Sequence, residues 1–108
     1  MNSISKKDKE HIITLKKLLN EKFNNIIEKI YCYGSRVTSN RVDTDFDILI
    51  ITKEEVDWRI EDKIDSEIIR YGIENNILFD AHIYSSDKFS KYSYTPYLNN
   101  AITLGIAL

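Results

Sequence analysis

The sequence predicts one α/β domain spanning residues 1–108, a two-layer fold with a small mixed or antiparallel β-sheet covered by helices. Three observations carry that expectation. Apolar residues recur at three- and four-residue spacing in separate segments. Runs rich in Ile, Tyr and Phe lie between those segments. The first two such runs are joined by a polar stretch too short for the crossover that parallel neighbours require.

The elements follow in order. Ser5 to Asn20 or Phe23 reads as an amphipathic helix, with Ile12, Leu15, Leu18, Leu19 and Phe23 on one face. Ser5 suits its N-cap, with Asp8 three residues on as a capping-box partner. Ile26 to Tyr33 reads as a strand ending at Gly34-Ser35, and residues 36–44 read as a polar turn. Asp45 to Thr52 is the second strand, and its Phe46-to-Ile51 run is apolar enough for burial on both faces. Thr52-Lys53-Glu54-Glu55 fits a capping box that opens a helix to about Tyr71, with Val56, Ile60, Ile64 and Ile68 inward and Gly72 at C′. Ile77 to Tyr84 is the third strand. Thr95-Pro96 starts a short helix with Tyr97, Ala101 and Leu104 inward, Gly105 ends it, and Ile106-Ala107-Leu108 add a short strand.

Composition narrows the function classes. Fifteen Lys and Arg against seventeen Asp and Glu leave a net charge of -2, which disfavours a broad nucleic-acid surface. A single nucleotide is a different matter, because a metal ion supplies the positive charge. No apolar run approaches the ~18 residues of a membrane span, and the polar start lacks the apolar core of a signal peptide. The single cysteine, Cys32, has no internal disulfide partner and reads as a small buried hydrophobe, so the cytoplasm is the expected compartment.

The chemistry concentrates between Tyr33 and Ile50. Asp45 and Asp47 lie two apart on a strand and therefore share a face, opposite Phe46, Ile48 and Ile50. Two carboxylates about 6 Å apart repel by roughly 3 kcal/mol at an effective dielectric near 20. A hard divalent cation between them relieves that repulsion, and magnesium commonly takes one or two carboxylates plus substrate phosphates. Taken alone, Asp-x-Asp is also what a solvent-facing strand start looks like. Gly34 allows close backbone approach to a phosphate, and Ser35 adds a hydroxyl donor. Asp80 interrupts the third strand and joins the other two acids if that strand neighbours the second.

A strand ending Gly34-Ser35, then Asp45-x-Asp47 opening the next strand, then Asp80 one helix and strand later resembles the nucleotidyltransferase superfamily of the DNA polymerase β type. The small size is similar to the minimal nucleotidyltransferases of MNT antitoxin-like proteins. Nine residues separate Ser35 from Asp45 where that family often has ten, and Ser39-Asn40 stand where many members carry a second glycine. The resemblance implies a nucleotidyltransferase palm that moves a nucleoside monophosphate from an NTP, with ATP the expected donor, to a hydroxyl. It implies Mg2+ or Mn2+ held by Asp45, Asp47 and Asp80, which are also the catalytic residues. It places Gly34, Ser35 and Arg36 on the phosphates, although Arg36 equally suits a surface salt bridge. It further implies a helical HEPN-type toxin as acceptor and partner. A binding-only antitoxin, and a small-molecule transferase completed by homo-oligomerisation, are the two other readings.

Several residues receive plainer readings. His82 shares the face of Asp80 and reads as a partly buried structural histidine, with a proton carrier as the sharper option. His11 has no evident partner. Trp58 falls off the apolar stripe of its helix and is expected to pack at the helix edge. The Tyr92-to-Tyr97 segment is expected to pack the last helix rather than to line a base pocket.

Overall fold

The computed structural model describes residues 3–38 and 45–108, so Ser39-Asn40 and most of the expected turn lie outside the described residues. In chain order the elements are α1 (Lys6–Lys22), β1 (Ile27–Tyr33), α2 (Ser35–Thr38), β2 (Phe46–Thr52), α3 (Trp58–Asn75), β3 (Phe79–Ser85), α4 (Ser86–Tyr92), α5 (Pro96–Leu104) and β4 (Ile106–Ala107). The apolar run of β2 lies inside a four-stranded sheet of order β3-β2-β1-β4. β1 pairs antiparallel with β2 and with β4, as the short β1–β2 connection requires. β2 and β3 are parallel, joined by the long crossover through α3. The sheet is therefore mixed, as expected.

Alternation along β2 divides its side chains between two cores. Phe46, Ile48 and Ile50 join Ile12, Leu15 and Leu19 of α1 and Ile64 and Ile68 of α3. Leu49 and Ile51 face the other way, against Leu98 and Ala101 of α5. All of the β2 side chains from Ile48 to Ile51 are 0–1% exposed. Each such burial contributes about 1.5–3 kcal/mol, which pins the strand and with it the residues at its start.

Both ends of α1 match expectation. Ser5 is its N-cap and accepts the Asp8 amide at 3.0 Å. Asp8 itself does not reach back as a capping-box acid. Its carboxylate instead accepts from Arg36 at 3.0 Å, with both side chains 7% exposed. The Arg36 guanidinium also lies 4.9 Å from the centre of the Phe46 ring. This buried pair ties the first turn of α1 to α2 and to the start of β2.

Helix α3 departs from the expected boundaries. Thr52 closes β2 and its hydroxyl donates to the Glu54 carbonyl at 2.7 Å, so it caps nothing. Asp57 is the N-cap and accepts from the Arg59 and Ile60 amides. Asp57 wins because an Asx cap satisfies two orphan amides at once. At the other end the helix runs through Gly72 to Asn75, with Asn76 in the left-handed conformation as C-cap. Gly72 serves packing instead: a Cβ there would lie 2.3 Å from the Ile77 carbonyl oxygen.

Other local expectations are corrected as well. Trp58 does not pack; it is 66% exposed, with Arg59 over its ring. His11 finds a partner distant in sequence, the Tyr71 hydroxyl at 2.8 Å. In α5 the buried residues are Leu98 and Ala101, and Leu104 is exposed. The Pro96 start, the Gly105 end and the short β4 stand as expected. Cys32 is fully buried, and burial first, then the nearby Asp8 charge, pushes its thiol up to about 12.

The Asp8–Arg36 pair generates a test. Removing Asp8 takes away a buried carboxylate partner of the Arg36 guanidinium, so Asp8→Ala is expected to cost about 3–5 kcal/mol in urea unfolding. The double variant Asp8→Leu/Arg36→Met, which removes both charges, is expected to cost clearly less than Asp8→Ala alone.

Candidate active site

The acids converge because of strand register. Asp47 is the second residue of β2 and Asp80 the second of β3, and the parallel ladder places them side by side as Cα partners. On the other flank, Tyr33 is the partner of Asp47 in the antiparallel ladder. Residues two apart share a face, so Tyr33, Asp47, Asp80 and His82 all lie on the side of the sheet that α5 covers further along. This acid-bearing patch sits where β1 ends and β2 and β3 begin.

The two carboxyl groups of Asp47 and Asp80 are within hydrogen-bonding reach of each other. Burial first, then the Asp80 charge and that hydrogen bond, then Asp45, raise the Asp47 carboxyl above its ordinary value, while His82 opposes the shift. One proton held between the two acids relieves their repulsion. Asp45 stands just ahead of β2, exposed, near enough for its charge to act on Asp47. The structure thus brings Asp47 and Asp80 together, with Asp45 at the rim.

Gly34 closes the third side. Its φ is +81°, a left-handed conformation that an L side chain rarely adopts. A Cβ there would lie 2.1 Å from Asp47 Oδ2. The absent side chain is what lets the β1–α2 turn pass against the acid pair. Ser35 opens α2 directly beyond it. Arg36, by contrast, is turned into the core beneath Phe46, on Asp8.

Three aromatic groups complete the surround, and sequence reading assigned them no shared place. The Tyr33 and Tyr97 hydroxyls share a hydrogen bond that ties α5 to the end of β1. The His82 ring meets Tyr97 edge-on at 5.3 Å, and its Nε2 lies 3.5 Å from Asp80 Oδ1. Far from being partly buried, the His82 side chain is 47% exposed. Burial and then the Tyr33–Tyr97 hydrogen bond push the Tyr33 hydroxyl pKa upward, with Asp47 and Asp80 adding to it. The available signal was strand parity: Tyr33, immediately before Gly34, was bound to share the face of the acids.

The donor set was tested for fit to a divalent ion. Among the described residues no three His, Cys, Asp or Glu side chains converge into a metal cage. Magnesium needs no such cage, since it usually keeps several waters and takes one or two carboxylates plus phosphate oxygens. Two carboxyl groups within hydrogen-bonding reach of each other fit that requirement. An open depression of about 810 Å³ lies elsewhere. It is lined by Lys53, Ser85 and Lys88 at the far ends of β2 and β3, roughly 17 Å along the strands from the acids.

Two outcomes follow for the metal-free protein. The folded state favours protonated Asp47, so this contribution is fully present below the ordinary value of 3.8 and is lost as pH rises through the raised one. Asp47→Asn is neutral at every pH. Its Tm is therefore expected to equal that of the wild type in acid and to exceed it by about 2–4 °C at neutral pH, allowing for solvent screening. Gly34→Ala is expected to cost about 1–3 kcal/mol from the left-handed backbone and the collision with Asp47, read out by chemical denaturation.

The geometry of paired acids beside a Gly-Ser turn agrees with the comparison to known proteins. A search of curated proteins and a search of solved structures return no match. The family model for the nucleotidyltransferase domain matches residues 12–98, which takes in Gly34, Asp45, Asp47 and Asp80. The chain belongs to the nucleotidyltransferase domain family.

Proposed function

We propose that this chain is a metal-dependent nucleotidyltransferase that moves AMP from ATP to a hydroxyl on a HEPN-type toxin and thereby acts as its antitoxin. The observation that carries the proposal is the contact between Asp47 and Asp80, two like charges held at one spot by strand register. Family membership supports transfer of a nucleoside monophosphate in general. The acceptor is the finer step, and it rests on the resemblance to minimal antitoxin-like members.

In this reading Asp47 and Asp80, with Asp45 at the rim, hold Mg2+ or Mn2+. The bound ion offsets the charge of the acids and of the triphosphate oxygens. Gly34 and Ser35 bring backbone and hydroxyl donors to the terminal phosphates. Arg36 acts at one remove, holding the turn from beneath through Asp8. The acceptor hydroxyl oxygen bonds to the α-phosphorus, the bond to the β-phosphate oxygen breaks, and pyrophosphate leaves. The hydroxyl proton passes to a carboxylate of the acid cluster.

The test uses ATP labelled at the α-phosphate, with the partner protein and magnesium present. Label is expected on the partner, with a loss of at least about 100-fold in Asp47→Asn. Label on a small molecule without partner would redirect the acceptor. Neutralisation of the partner that persists in Asp47→Asn with no label transferred would replace catalysis by binding alone.

A further inference from the structure

Strand β3 ends the sheet, and among the described residues no strand pairs its outer edge. An unpaired edge offers a row of backbone donors and acceptors and is commonly blunted by charge, proline or a bulge. Here the strand carries two exposed polar side chains, Asp80 and His82, and apolar surface flanks its start. Ile69, Ile73 and Leu78 are 61%, 74% and 69% exposed. Together with Gly72, Ile77 and Phe79 they line a groove of about 470 Å³ beside the start of the strand.

We propose that this edge is occupied by the β3 edge of a second copy of the chain, in an antiparallel, two-fold pairing centred on Ala81. The argument is register. A two-fold axis through a continuous sheet keeps each face on its own side, so a residue meets only residues of matching parity across the seam. Three central registers satisfy that rule. Centring on Asp80 sets two carboxylates against each other, which is destabilising. Centring on His82 sets Asp80 against Tyr84 and His82 against itself. Centring on Ala81 sets Asp80 against His82, Phe79 against Ile83 and Leu78 against Tyr84, each twice, with the two alanines at the axis. From Leu78 to Tyr84 every pair in that register is either apolar on apolar or carboxylate on imidazole, the combinations that stabilise a sheet seam, and Ser85 meets Ile77 beyond them. Ile69 and Ile73, beside Phe79 in the groove, then border the seam instead of facing water.

The arrangement bears on the acid site. His82 of the second copy comes to lie across from Asp80, so each copy contributes an imidazole to the rim of the other's acid pair. The pairing itself does not depend on the transfer reaction, and either idea survives failure of the other.

Sedimentation and light scattering of the whole chain test it. A mass of twice 12.7 kDa is expected at protein concentrations on the order of 100 µM. Ile73→Lys and Leu78→Lys change exposed side chains, so the fold persists by circular dichroism while the dissociation constant rises at least about ten-fold. Ala81→Cys is expected to give a disulfide-linked dimer on mild oxidation, because only the axial residue meets itself, and buried Cys32 stays unlinked. A monomer at every concentration would overturn the proposal. So would a dimer untouched by both lysine variants, or one in which position 81 does not cross-link.

Discussion

Two carboxyl groups are held side by side by a parallel register, and the rest of the site is arranged around that conflict. Asp47 and Asp80 occupy matching positions at the starts of β2 and β3. Left to themselves they would separate, since like charges at such distance cost a few kcal/mol in partly dry surroundings. They cannot separate, because the next four residues of β2 are buried in two cores at once. Moving the register by one residue would exchange Ile48 and Ile50 with Leu49 and Ile51 between those cores. Hydrophobic burial in the strand thus sustains electrostatic strain at its start.

The turn over the acids is held from beneath. Gly34 reaches its left-handed conformation at the point where β1 must turn away, and Asp47 fills the space a side chain would have taken. Two residues on, Arg36 enters the core and meets Asp8 in the first turn of α1. A carboxylate at a helix N-terminus is itself favoured by the helix dipole, so Asp8 is a well-placed anchor. The anchor lies on the opposite side of the sheet from the acids. A basic residue next to a Gly-Ser turn invites the idea of direct phosphate contact; here the nearer physical partner is a buried acid.

Much of this was legible from residue order, and the failures share a cause. The β2 run, the parity of Asp45 and Asp47, the Pro96 start and the Gly105 end are local patterns, and local patterns read correctly. The side-by-side placement of Asp80 and Asp47 needed one non-local fact, that β3 neighbours β2. The long amphipathic helix between them made that pairing natural. What was misread involved competition between two good local candidates. Thr52 and Asp57 both suit an N-cap, and the burial of Thr52 at the end of β2 left the role to Asp57. Gly72 and Asn76 both suit a helix end, and the close approach of Ile77 used the glycine for packing. Helix α4, polar over Ser86-Asp87-Lys88, showed little periodicity, and Phe89 packs it against Tyr31. His82 lies on the edge strand beside Tyr97, where its side chain is half exposed.

The surrounding hydroxyls narrow where a proton can go. Tyr33 and Tyr97 lie beside the acids, and burial, their mutual hydrogen bond and the acid charges act on both. Burial and negative neighbours oppose forming a phenolate, so these hydroxyls remain neutral donors. Asp47 shifts in the same direction for the same reasons, but from a value low enough that the shift moves it toward neutrality. Burial and the neighbouring negative charges thus raise the proton affinity of Asp47 above that of an ordinary carboxylate. An ion that binds there competes with that proton, and its binding releases it. On the proposed reading a cation at the acid pair would take the place of that proton, and the tyrosines, kept neutral, would hold their own protons throughout.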